Sequence, residues 1–96
     1  MPTQLDVRPT DATEVTVGLD EPYNVFLWND PVTTVSVVVY VLQKVFGYSA
    51  EKAGRLMLEA HTTGKTVVWR GERNRAVDYC LALGTHGLQA TIGKDV

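Results

Sequence analysis

The hydrophobic period changes abruptly across Asn29-Asp30-Pro31, and this change limits the chain to a fold that mixes strands and helices. Before the tripeptide, Tyr23, Val25 and Leu27 alternate with Asn24, Phe26 and Trp28. Period two with aromatic and β-branched residues predicts a strand. After it, Val35, Val38, Val39, Leu42, Val45 and Phe46 recur at helical spacing and form one apolar face. Asn and Asp turn the chain through their own side chains, and Pro31 lacks the donor a strand ladder needs. Thr33 or Thr34 can cap the helix that follows, and Gly47 suits its end. The many valines lower its intrinsic propensity, so tertiary packing must hold it.

Ser49 can cap a second helix whose stripe is Ala53, Leu56, Met57, Ala60 and His61, ended by Gly64. His61 then lies one turn after Met57 on the same face. Lys65 to Trp69 is β-branched and predicts a second strand. A third helix is expected from about Arg73 to Leu83, with Val77, Cys80, Leu81 and Gly84 on its packed side. Leu88 to Ile92 alternates again as a short last strand. The order β-α-α-β-α-β predicts an α+β domain, with three helices on one face of a three-stranded, mainly antiparallel sheet. Residues 1–22, with Pro2, Pro9 and Pro22 and few large apolar groups, are expected to be a flexible N-terminal extension. Val15 and Val17 could join an edge strand. Residues 23–96 form the expected single domain.

Bulk composition removes several function classes. Nine Lys and Arg against eleven Asp and Glu leave a net charge of −2, which argues against a nucleic-acid binder working through bulk charge. No run of like charge offers an electrostatic membrane anchor. The apolar stretch Val35 to Leu42 is far too short to span a bilayer. The first twenty residues hold no apolar signal-peptide core. A single cysteine, Cys80, excludes an internal disulfide and fits a reducing compartment, with the cytoplasm expected.

Chemistry-bearing residues are few. Asn29 and Asp30 stand at a strand end, where a rigid scaffold meets approaching ligands; an Asx turn before a helix would use the same residues. His61 on an apolar stripe can accept a hydrogen bond at one ring nitrogen and donate at the other, or serve as a boundary residue with one nitrogen satisfied. Cys80, His61 and Asp30 could be drawn as a triad, but Cys80 reads as a small buried hydrophobe and no nucleophile elbow is present. The chain is therefore not expected to be an enzyme. No metal or other cofactor is expected: His86 is isolated in a Gly-rich turn, and no zinc spacing exists. Gly64-Lys65 lacks the glycine spacing of a phosphate-binding loop.

Three ordered motifs carry a family resemblance: Trp28-Asn29-Asp30-Pro31-Val32-Thr33; Val41-Leu42-Gln43-Lys44-Val45-Phe46-Gly47-Tyr48; and Leu56-Met57-Leu58-Glu59-Ala60-His61-Thr62-Thr63-Gly64-Lys65. Together they resemble the ClpS family, adaptors of the N-end rule (N-degron) pathway, from about Tyr23 to Ile92. The resemblance implies a protein that binds substrates whose N-terminal residue is Leu, Phe, Tyr or Trp. It would deliver them to the N-terminal domain of a ClpA- or ClpC-type AAA+ unfoldase for degradation by ClpP. It further implies that Asn29, Asp30 and His61 hold the α-amino group, that Thr33, Val35, Val38, Met57, Ala60 and Leu88 line the side-chain pocket, and that the N-terminal extension serves delivery. The adaptor is expected to be a monomer. The segment Glu72-Arg73-Asn74-Arg75 falls near the family's unfoldase contact, where a solvated helix start is an equal reading.

The chain departs from that pattern at three places. Pro31 stands where the family often has a second Asp, Val35 where the gate is often Met, and Ala60 where Val is common. The last two changes are expected to widen the pocket or its mouth. The runner-up is a noncatalytic protein-docking module resembling the C-terminal domain of the ribosomal stalk protein, which would need no ammonium pocket.

Overall fold

The computed structural model describes residues 21–94. The extension expected at the N-terminus, with Val15 and Val17, lies almost entirely outside the described residues. The elements run β1 (Tyr23–Trp28), α1 (Val35–Phe46), α2 (Ala50–Thr63), β2 (Lys65–Gly71), α3 (Arg73–Thr85) and β3 (Ala90–Gly93). The sheet order is β2-β1-β3, and both pairings are antiparallel. The expected α+β architecture is what the chain forms.

The central position of β1 explains its burial. It pairs on both sides, and Asn24, Val25, Phe26 and Leu27 are all buried. Val25, Leu27 and Val68 from the sheet meet Val41 and Leu42 of α1, Ala53, Leu56 and Ala60 of α2, and Ala76 and Leu83 of α3 in one core. The register of β1 against β2 shifts between Val25, opposite Trp69, and Phe26, opposite Val67, so Val68 is an extra residue in a bulge. The Tyr48 hydroxyl donates to the Val68 carbonyl at 2.6 Å. Beside it, Phe46 stacks on Tyr48 with centroids 4.9 Å apart and also meets Tyr79, which packs on Trp69.

The caps follow the local sequence. The Thr34 hydroxyl accepts from the Val37 N–H, the Ser49 hydroxyl from the Lys52 N–H and the Glu72 carboxylate from the Arg75 N–H. Gly47 ends α1 in the left-handed conformation at φ 76°.

Four expectations are corrected. On α1 the deepest residues are Val41 and Leu42, whereas Val35 at the first turn is 52% exposed. On α3 the packed stripe is Ala76, Tyr79, Cys80 and Leu83, while Leu81 is 65% exposed and Gly84 is exposed. Two apolar stripes overlap on that helix, and the expected one is rotated by one residue, about 100°. The Tyr79 ring, packed against Trp69 and Phe46, selects the other. The strand β2 continues to Gly71 because its pairing with Tyr23 persists. The last strand begins at Ala90 rather than Leu88, because the Leu88 N–H turns back to the Leu83 carbonyl at 3.0 Å and closes the end of α3. Gly87 permits that reversal with φ 88°.

Candidate functional site

Three chain segments converge just beyond the end of β1. The Trp28 N–H donates to the Gln89 carbonyl and the Asn29 N–H to the Gly64 carbonyl, each at 2.9 Å. Sheet pairing thus continues past the strand on both sides. It ties the Asn29-Asp30-Pro31 turn to the end of α2 on one flank and to the approach to β3 on the other.

The turn itself is an Asx turn. Asp30 Oδ1 accepts the Val32 N–H at 2.9 Å, and Oδ2 accepts the Thr33 hydroxyl at 3.0 Å. The hydrogen bond from Val32 and then that from Thr33 hold the carboxyl below its ordinary value, so Asp30 stays ionised. The bland and the functional readings of this residue are therefore compatible, since the same bonds that turn the chain also fix a negative charge at the strand end.

α2 presents its face to this turn. Ala60 is buried, Met57 half-buried and His61 exposed in the last helical turn. The turn after His61 is braced by the Thr63 hydroxyl, which bonds to the Glu59 carbonyl at 2.7 Å, and by the Gly64 N–H on the Ala60 carbonyl at 2.9 Å.

Between these segments lies a cavity of about 300 Å³. Its walls are Val35 and Val38 of α1, Met57 and Ala60 of α2, Leu27 of β1 and Leu88 from the α3-β3 connection. Asn29, Asp30, Thr33 and His61 also line it. All nine residues singled out from the sequence stand around this one space: Asn29, Asp30, His61, Thr33, Val35, Val38, Met57, Ala60 and Leu88. Sequence reasoning missed Leu27, Trp28, Pro31, Thr34 and Gln89, which complete the lining. Trp28, Pro31 and Thr34 adjoin the Asn-Asp motif and could have been included on that ground; Gln89 carries no signal of its own. Asp30 and His61 are the charged or titratable side chains on the wall. A largely apolar space with one carboxylate, one amide and one imidazole suits a small cationic group attached to an apolar side chain.

The remaining candidates stand apart. Cys80 lies on α3, where its thiol donates to the Ala90 carbonyl at 3.4 Å and desolvation pushes its pKa up. It is not on the cavity wall and forms no triad there. His86 is an exposed residue at the end of α3. Among the described residues, no group of three or more His, Cys, Asp or Glu could hold a metal ion, and no helix is long and apolar enough to cross a membrane.

Comparison with known proteins agrees with the resemblance. The family described as ATP-dependent Clp protease adaptor protein ClpS matches residues 19–91. ATP-dependent Clp protease adapter protein ClpS of Rhodococcus opacus is 37% identical over 99% of this chain and 87% of its own length. That of Nocardia farcinica is 41% identical over 96% of this chain and 87% of its own. Among solved structures, Agrobacterium tumefaciens ClpS2 bound to L-phenylalaninamide superposes with a TM-score of 0.73 at 32% identity, covering 79% of this chain and 99% of that one. The family assignment favours an adaptor over the docking module and fits a noncatalytic protein. With this fold, this turn and these relatives, the chain belongs to the ClpS family of ATP-dependent Clp protease adaptor proteins.

Proposed function

We propose that the cavity receives the N-terminal residue of a substrate protein, and that this adaptor delivers the substrate to a ClpA- or ClpC-type unfoldase for degradation by ClpP. The observation that carries the reading is the shared lining: Asn29, Asp30 and His61 stand around the same apolar cavity as Val38, Met57 and Leu88. An α-ammonium has three N–H donors and is costly to bury unpaired. Asp30 supplies the counter-charge, while Asn29 and His61 supply neutral acceptors. His61 can offer a ring-nitrogen lone pair to one of the ammonium N–H groups. A Leu or Phe side chain entering the apolar part contributes roughly 1.5–3 kcal/mol from burial. Met57, unbranched and polarizable, adapts to either shape. L-Phenylalaninamide, the ligand of the Agrobacterium relative, has this chemistry: a free α-amino group beside a benzyl side chain.

Calorimetry with a peptide that begins with Phe tests the assignment. Asp30→Ala loses the most affinity because it removes the counter-charge, Asn29→Ala is intermediate and His61→Ala loses least. Normal binding by all three variants rules the site out. Delivery is tested separately by removing residues 1–20. Peptide binding is then retained while degradation of a Phe-initiated substrate by the unfoldase and peptidase falls; unchanged degradation refutes a delivery role for that segment.

A further inference from the structure

The Thr33 side chain has two faces in this fold, one on the cavity and one on Asp30. A threonine that only walled the pocket would need no fixed hydroxyl. Here the hydroxyl donates to Asp30 Oδ2 at 3.0 Å, while the other oxygen, Oδ1, takes the Val32 N–H at 2.9 Å. Each carboxylate oxygen therefore has its own donor, one from the backbone and one from a side chain. The backbone donor belongs to the turn and survives substitution at position 33. The Thr33 hydroxyl adds a side-chain restraint on Oδ2 against rotation about the terminal torsion, which is otherwise broad. A carboxylate has about four lone-pair sites, so these donors leave room for a ligand.

We infer that Thr33 is the positioning residue of the site, orienting the Asp30 carboxylate toward an incoming α-ammonium and favouring its ionised form. The inference rests on the proposed reading of the cavity as an α-ammonium receptor. The downward shift of the Asp30 pKa has the Thr33 hydrogen bond as its second cause, after the Val32 N–H. Other charges around the carboxylate are few. α2 contributes His61, and the remaining side chains on the wall are uncharged. Lys65 of β2 stands 5.1 Å from the Trp28 ring centroid and is not on the cavity wall. Asp30 is thus kept ionised by hydrogen bonds from the Val32 N–H, the Thr33 hydroxyl and the Thr33 N–H, with desolvation opposing them.

Thr33→Val keeps the shape of the side chain and removes the donor, whereas Thr33→Ser keeps the donor. Two readouts are taken on each: calorimetric affinity for a Phe-initiated peptide at neutral pH, and the titration midpoint of the Asp30 carboxyl carbon by NMR. The valine variant should bind about three- to tenfold more weakly, the equivalent of one lost hydrogen bond. Its Asp30 midpoint should rise toward the ordinary value of 3.8. The serine variant should restore both. Thr33→Ala repeats the test should valine be poorly tolerated in the turn. An unchanged midpoint in the donorless variants overturns the inference, even if affinity falls, because Thr33 would then act as wall alone. Unchanged affinity with a shifted midpoint also overturns it. A wild-type protein that fails to bind the peptide at all overturns the receptor reading instead.

Discussion

The Asn29 N–H donates to the Gly64 carbonyl at 2.9 Å, one residue past the end of β1 and one past the end of α2. This bond joins the segment carrying Asn29 and Asp30 to the segment carrying His61. Its acceptor is held in place by an unusual backbone. Gly64 has φ 99° and ψ −32°, which residues with a Cβ rarely adopt, although there is open space where a Cβ would sit. Gly64→Ala should therefore destabilise through backbone strain rather than a clash, by about 1–2 kcal/mol. For a domain of this size that is a Tm lower by at least about 4 °C. Peptide affinity should fall as well, because the His61 turn loses its anchor. A thermal melt and a binding isotherm on this variant check both.

Tyr48 supports the sheet at its bulge. Its hydroxyl donates to the carbonyl of Val68, the residue left out of the register. Burial pushes the Tyr48 pKa up, so the hydroxyl keeps its proton through the neutral range. Tyr48→Phe preserves the ring stacking on Phe46 and removes one bond. The expected loss is about 1 kcal/mol by denaturant unfolding, with peptide binding unchanged.

The pH dependence of Asp30 has a definite sign. Its folded pKa lies below its ordinary value, so its contribution to stability is fully present above the unfolded value. That contribution is lost as the pH falls through the folded one. The difference in Tm between wild type and Asp30→Asn should be the same at neutral and mildly acidic pH. It should shrink only once the pH drops below the ordinary aspartate value of 3.8. Melting both proteins across that range gives the comparison.

Specificity should follow Val35 and Ala60. Val35 is 52% exposed on the cavity wall, and Ala60 is a buried part of it. By the resemblance drawn from the sequence, each is smaller than the residue expected at its place, Met for Val35 and Val for Ala60. Peptides beginning with Ile and Val should bind within about tenfold of the Leu peptide, since one CH₂ contributes only about 0.8 kcal/mol. Val35→Met should widen that gap by narrowing the mouth. Strict rejection of Ile and Val by the wild type would count against the idea.

Much of this architecture is written locally. The β1 alternation, the threonine and serine caps and the glycine ends lie in short windows, and the structure follows them closely. The nine residues singled out from the sequence line one cavity: Asn29, Asp30, Thr33, Met57, Ala60 and His61 fall in the first and third motifs, while Val35, Val38 and Leu88 were named through the family resemblance. What was missed depends on packing between elements. The inward face of α3 was ambiguous because Val77, Cys80 and Leu81 form as good a stripe as Ala76, Tyr79 and Leu83, and only the Trp69 and Phe46 rings decide between them. The start of β3 was misplaced because Leu88 looks like a strand residue, but its N–H closes a helix. Gln89 joins the cavity through a sheet pairing that no local pattern announces.

The central claim is that the cavity recognises a free α-ammonium together with an apolar side chain. Two peptides identical except for N-acetylation of their first residue, Phe, isolate the first half of it. Acetylation removes the charge and two donors but leaves the ring. Measured by fluorescence anisotropy against the wild-type protein, the free peptide should bind and its acetylated twin should not. Equal binding of the two would contradict the account.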